Sequence, residues 1–314
     1  MKTASLWKYW LAALLLLVTP WAWANDSLDT VRIGYQKYGT LMLLKERQAL
    51  EKRFANQDVQ VTWTEFPAGP QLLEALNVGS IDFGVVGETP PVFAQAAGAN
   101  LVYVAHEPSA PAGEAIIVPK DSAIQSVKDL KGKKVALNKG SNVHYLLVKA
   151  LAAAGLSLQD IQPVYLPPAD ARAAFESNKV DAWVIWDPFL AAAEHALQAR
   201  TIQSGDKLVN NYQYYIAAKP FADKAPKLLS TIVEEIQGLD KWAKGNLPEV
   251  AKILAPAIGQ PTEVVLASAK RAAYDTQYLK ADVVTYQQKI ADTFTELGLI
   301  PSKLDVASVI WQPK

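Results

Sequence analysis

Two stretches of the chain carry the same arrangement of groups able to meet an anion. Residues 78–96 read VGSIDFGVVGETPPVFAQA, and residues 178–193 read NKVDAWVIWDPFLAAA. With Asp82 set on Asp181, Ile81 falls on Val180, Val85 on Val184, Val86 on Ile185 and Glu88 on Asp187. Each copy is an apolar run, a carboxylate, a proline and an apolar stretch, the pattern of a buried strand ending at a helix N-terminus. Helix N-termini present unbonded N–H groups and a positive dipole end, and so suit anions. Lys139-Gly140-Ser141-Asn142 is a further such start, with a serine hydroxyl beside the first amides; Ser141 can serve as a cap, as a ligand contact, or as both. Thr89-Pro90 and Asp187-Pro188 have the form of a cap followed by proline. Glu88 and Asp187 would repel an anion unless offset. They are expected to cap, to pair across a cleft, to hold a water or to meet an amino group on the ligand.

The remaining candidates are single residues. His144 would be the third residue of the helix opened by Ser141, where the dipole disfavours protonation; it can donate to a ligand, orient the loop or simply pack. Gln36 follows the first strand, where parallel sheets place ligand loops, and its amide can donate. Gly87 permits close approach, and Gly69 opens another helix. Trp186 ends a buried strand and can cover an alkyl chain, whereas alternation turns Trp183 toward the core. Gln213 and Tyr214 stand where the chain is expected to return between lobes. Lys37 and Lys139 lie in corresponding loops and are expected to be solvated. Ser141 with His144 does not make a hydrolase: the chain lacks a G-x-S-x-G elbow, and spacing supplies no orienting acid. Three scattered histidines make no metal motif. The reading is of no catalytic residue, no metal and no cofactor.

Alternating elements must position these groups. Strands are expected at 31–35, 59–66, 81–86, 101–105 and 115–118, with helices at 40–54, 69–78 and 90–97. A second run has helices at 126–131, 142–154, 169–177 and 188–197 and strands at 134–137, 161–166 and 180–185; a strand at 214–218 leads back. Residues 226–299 are mostly helical. This order argues an α/β fold with largely parallel sheets. The repeat is too irregular for a solenoid and suggests paired lobes. The division expected is 25–115 with 216–314 as one lobe and 116–215 as the other, with two hinge segments near 113–119 and 213–219 and the ligand cleft between the lobes.

Residues 1–24 read as a signal peptide: Lys2 and Lys8, a short apolar run at 11–18, and Ala22-Trp23-Ala24 as the cleavage site. The run is too short to span a bilayer, which takes about 20 residues. The chain contains no cysteine, so neither a lipid anchor after cleavage nor a disulfide framework is available. Charges balance at 31 basic and 31 acidic residues, and loss of Lys2 and Lys8 leaves the remainder slightly acidic. This is not the composition of a nucleic-acid binder.

The chain resembles the periplasmic substrate-binding proteins of ABC transporters for aliphatic sulfonates. The resemblance is carried by IGYQK (33–37), EFPAGPQLLEALNVGSID (65–82), GETPPVFAQAAGA (87–99), LVYVAHEP (101–108), KGSNVHYLL (139–147), ADARAAFESNKVDAWVIWDPF (169–189) and IWQP (310–313). It implies a type II periplasmic binding fold, two hinged α/β lobes with the cleft between them, and a monomer that delivers an alkanesulfonate to a membrane permease for sulfur acquisition. It also favours a ligand role for Ser141. Taurine, nitrate or a thiamine precursor are the alternative ligands, and an enzyme on the same scaffold the more distant alternative.

Overall fold

The computed structural model describes residues 29–313, so the leader expected at 1–24 lies outside the described residues. The chain runs β1 (Thr30–Tyr35), α1 (Gly39–Glu46), α2 (Ala49–Phe54), β2 (Gln60–Glu65), α3 (Gly69–Asn77), β3 (Phe83–Gly87), α4 (Pro90–Ala96), β4 (Leu101–His106) and β5 (Glu114–Val118). It continues through β6 (Lys134–Leu137), α5 (Asn142–Ala153), β7 (Gln162–Tyr165), α6 (Pro168–Glu176), β8 (Ala182–Trp186), α7 (Phe189–Leu197), β9 (Arg200–Ser204) and β10 (Gln213–Ala218). The last part holds α8 (Lys219–Lys224), α9 (Pro226–Gly245), α10 (Leu247–Ile258), α11 (Thr262–Arg271), β11 (Gln277–Tyr278) and α12 (Ala281–Glu296).

These strands form two sheets, ordered β11-β4-β10-β3-β1-β2 and β7-β6-β8-β5-β9. Each contains three mutually parallel strands, β2-β1-β3 and β7-β6-β8. Next to them lies one antiparallel strand, β10 beside β3 and β5 beside β8. Beyond that strand β4 and β9 run with the three again, so the sheets are largely parallel, as expected, with one reversed strand set inside each, and connectivity explains the reversal. Parallel strands are reached through helical crossovers and all end at one edge of the sheet. A strand arriving directly from the other sheet enters at that edge and must run away from it. Both β5 and β10 arrive in this way.

Strand pairing also places the crossings. Glu114 and Ala115 already pair in the second sheet, and Gln213–Tyr215 already pair in the first. The connecting segments are thus 107–113 and 205–212, just ahead of the positions expected from sequence.

The aligned aspartates do the same work in both sheets. Asp82 Oδ2 accepts from Arg32 N at 2.9 Å while Asp82 N donates to Arg32 O at 2.7 Å. Asp181 Oδ2 accepts from Lys134 N at 2.7 Å while Asp181 N donates to Lys134 O at 2.8 Å. Each aspartate satisfies the backbone at the start of the neighbouring first strand, β1 or β6. The strands that follow, β3 and β8, are buried along their whole length.

Local departures have local reasons. The helix expected over 40–54 is two, because Gln48 takes a left-handed backbone. The turn at 126–131 is a 3₁₀ helix closed by a Ser126–Asp129 capping box. β9 was not expected: RTIQS is polar and sits at a sheet edge, so it lacks alternating apolar residues. Among the C-terminal helices, α11 packs on α10 and also on α7 of the second lobe.

Candidate functional site

A cleft of about 860 Å³, counted with its open mouth, lies between the sheets. Three helices that begin in its wall can offer amides there; a fourth, α4, opens on Pro90, which has no N–H. Gly39 and Thr40 start α1, Gly69 starts α3, and Ser141 and Asn142 start α5; all line the cleft. None of the three helices has an acidic residue in its first turn or a side-chain cap. The amides of Gly39, Thr40, Gly69 and Asn142 donate in no described backbone hydrogen bond. Unbonded N–H groups and three positive dipole ends therefore converge on one space from both lobes.

Side chains supply little net positive charge. Among the described residues, Arg271, at the end of α11, is the one basic residue lining the cleft. It is held by two acids of the second lobe. Its Nη2 donates to Asp187 Oδ1 at 3.0 Å, its Nε lies 2.8 Å from Asp187 Oδ2, and its Nη1 donates to Glu194 Oε2 at 2.9 Å. Asp187 Oδ1 also accepts from Ala191 N at 3.0 Å and so caps α7. Burial pushes the Asp187 carboxyl up to about 6 against the opposing pull of Arg271. Asp187 thus caps a helix and pairs across the cleft at once.

A polar chain crosses the hinge beside this pair. Tyr38 OH donates to Gln213 Oε1 at 2.7 Å, and Gln213 Nε2 donates to Asn211 Oδ1 at 3.2 Å. Asn142 Nδ2 donates to the same Asn211 oxygen at 3.1 Å and to Glu114 Oε2 at 2.5 Å. Register brings these groups together: Gln213 pairs with Gly87, and Glu114 pairs with Trp186. Asn142 also lies against Gly87, where an added Cβ would come within 2.8 Å of its Oδ1. Gln36 lines the first-lobe side, with Nε2 on Val85 O at 3.1 Å. Ser141 Oγ donates to Asn138 O at 2.7 Å, which ties the turn before α5.

Of the residues singled out by sequence, Gln36, Gly69, Gly87, Ser141, Asn142, Trp186, Asp187 and Gln213 line this cleft. Glu88, Thr89 and His144 do not. β3 ends at Gly87, and the next residue turns to the opposite side. Glu88 is wholly buried there, with Oε2 accepting from Tyr212 N at 2.9 Å and Oε1 from Tyr286 OH at 3.4 Å. Its carboxylate is thus held by Tyr212 and Tyr286, away from the residues that line the cleft. Thr89 is buried at the start of α4 and makes no side-chain cap bond. His144 packs against Phe93, Phe294 and Tyr165. Burial first, and Lys139 second, lower it to about 4, so it is neutral. Its Nδ1 accepts from Gly140 N at 3.3 Å, so it orients the turn. Lys37 pairs with Glu65 at 3.3 Å and Lys139 lies over Tyr165, both away from the cleft wall.

Sequence reasoning missed Tyr38, Glu107, Asn211, Arg271 and Tyr274, which also line the cleft. Tyr38 and Asn211 lie within two residues of Gln36 and Gln213, which is a usable signal. Arg271 ends an ordinary amphipathic helix, and nothing local marks it.

Glu88 has a consequence for stability. Burial raises its carboxyl from 4.5 to about 8. The fold then binds more protons than the unfolded chain between those values, so stability falls as pH rises through that interval and levels off above it. Glu88→Gln is expected to remove part of the fall. Urea titrations at pH 5 and pH 8 should show the variant's relative stability growing by a few kcal/mol on the order expected from such a shift. Parallel profiles would mean that Glu88 is ionised in the fold.

The family model described as NMT1/THI5 like matches residues 53–240. The chain is 45% identical to a putative aliphatic sulfonates-binding protein of Escherichia coli (strain K12), over 96% of this chain and 95% of that protein. It is 31% identical to a putative aliphatic sulfonates-binding protein of Bacillus subtilis (strain 168), over 91% and 87%. The solved alkanesulfonate-binding protein SsuA from Xanthomonas axonopodis pv. citri, bound to MOPS, is 42% identical and superposes with a TM-score of 0.87 over 90% of this chain and 98% of that one.

Proposed function

The chain belongs to the NMT1/THI5-like family and to the aliphatic sulfonate-binding proteins, and from that membership we propose that it is a periplasmic receptor that captures alkanesulfonates and passes them to the permease of an ABC importer. The observation that carries this reading is the convergence of α1, α3 and α5 N-termini on a cleft whose one lining cation among the described residues, Arg271, is already neutralised. A sulfonate is anionic at every physiological pH and offers three acceptor oxygens. Backbone amides and a dipole end bind such a group without any proton transfer. Trp186 and the lining side chains Leu254, Ile258 and Val265 give an alkyl tail an apolar wall.

The receptor works by population shift. Ligand contacts both lobes only when they meet, so binding favours that state, and the docked lobes are what the permease reads. It acts as a monomer, exported by its leader and free of a lipid anchor. It is also proposed to bind without turnover, which is supported by Ser141 Oγ donating to Asn138 O and His144 Nδ1 accepting from Gly140 N, rather than pairing with each other.

Thermal unfolding of the exported form with a ligand panel tests this. Alkanesulfonates are expected to raise the melting temperature, with stabilisation of about 2.7 kcal/mol at a hundredfold excess over Kd. Sulfate and nitrate are expected to leave it unmoved; a shift with nitrate alone would overturn the ligand class. Ser141→Ala frees the turn before α5. It should weaken alkanesulfonate binding about fivefold, the equivalent of one hydrogen bond near 1 kcal/mol, while the variant still folds.

A further inference from the structure

The cleft is also lined by a group unsuited to an anion. Glu107 follows β4 on the first crossing segment; it is 5% exposed and lines the cavity. Its Oε1 accepts from Tyr215 OH at 2.8 Å, while Oε2 accepts in no described hydrogen bond. The groups acting on it come from four elements. They are Tyr38 from the loop before α1, Tyr215 on β10, Asp240 on α9 and Tyr274 after α11. None is basic. Asp240 is itself held by Thr40 Oγ1 at 2.5 Å and Thr276 N at 2.8 Å. Arg271 is committed to Asp187 and Glu194. Burial first and Asp240 second push the Glu107 carboxyl up to about 8.

A buried carboxyl with an open oxygen and no cation is matched by a ligand that brings the cation. We infer that Glu107 receives a protonated amine, so that the cleft prefers zwitterionic aminoalkanesulfonates to plain alkanesulfonates of the same length. This rests on the sulfonate reading above. Sulfonate and ammonium then occupy one cavity, the first on helix-start amides and the second on Glu107, each facing groups of complementary charge. Sequence reasoning looked for an amine partner in Glu88 or Asp187; the first faces away and the second is paired.

The linkage has a sign. An ammonium beside Glu107 favours its ionised form and lowers its pKa from about 8. Binding near pH 7 therefore releases about one proton, and affinity for the amine rises from pH 6 toward pH 8. Asp187, the other titrating acid of the cleft, meets Arg271 whichever ligand is bound, so the ratio of the two affinities isolates Glu107.

Calorimetry with aminopropanesulfonate and butanesulfonate, which differ by ammonium for methyl, tests this; the next longer pair covers spacing. Runs at pH 7 in buffers of different ionisation enthalpy count the protons. The wild type is expected to prefer the amine by about tenfold or more, as charged hydrogen bonds allow, and to release a proton only with it. Glu107→Gln, which still accepts from Tyr215, should bring the ratio to about one and abolish the release; a merely structural defect would weaken both ligands alike. Equal affinities in the wild type, or a preference kept in the variant, would overturn the assignment and leave the sulfonate reading standing. Failure of every sulfonate to bind would remove both. Proton release from the wild type is decisive even where the variant does not fold.

Discussion

Arg271→Met should cut alkanesulfonate affinity by about a hundredfold or more. Among the described residues, the guanidinium is the one side-chain partner from outside the second lobe for Asp187, whose side chain is 10% exposed. Removing one member of a buried pair costs about 3–5 kcal/mol, because the remaining charge is stranded, and each 1.4 kcal/mol is tenfold in affinity. Arg271 ends α11, which packs on both α10 and α7, so the loss falls on the state in which the lobes touch. The Asp187 carboxyl, already raised to about 6, takes a proton more readily without its cation, so the defect should shrink at pH 5.5 relative to pH 8. Arg271→Met with Asp187→Asn should recover much of the affinity. Fluorescence titration at the two pH values measures all three proteins. Wild-type affinity in the single variant would show that the pair does not hold the lobes together. A double variant as weak as the single would instead make Arg271 a direct ligand contact.

Gly87→Val is the second large effect. A Cβ at Gly87 would lie 2.8, 2.9 and 3.0 Å from three atoms of Asn142. Asn142 cannot swing aside freely, since its amide holds Glu114 and Asn211. Overpacking of this kind costs about 1–3 kcal/mol, which is roughly tenfold to a hundredfold in ligand affinity. Gly87 does not have a positive φ, so valine fits its backbone and the first lobe should keep its structure. Small-angle scattering with saturating alkanesulfonate should show the variant more extended than the wild type. Equal compaction and equal affinity would mean that Gly87 and Asn142 do not meet in the liganded protein.

Both effects turn on contacts between segments far apart in the chain, and this divides what was legible from what was not. The paired stretches around Asp82 and Asp181 were visible as a repeat. The structure gives both aspartates one job, holding the start of the neighbouring strand. Glu88 and Asp187 align equally well yet do different things. Glu88 turns behind β3 onto Tyr212, while Asp187 faces Arg271. Alignment ranks positions along the chain; it does not say which way the residue after a strand points. His144 shows the same limit. Its place in the first turn of α5 was readable, but its packing against Phe93 and Phe294 was not.

By itself the sequence determined the alternating strands and helices, the helix starts at Gly69 and Asn142, and the pairing of two similar units. These follow from period, proline and glycine placement and burial of apolar runs, all local along the chain. It also carried the family, through motifs spread over the whole length. Only the tertiary structure decided the direction of β5 and β10, the sites of the crossings and the partners of the cleft. Those depend on how two sheets meet. Asp187 finds Arg271 across 84 residues, and Asn142 finds Asn211 across 69, through packing that no local pattern encodes.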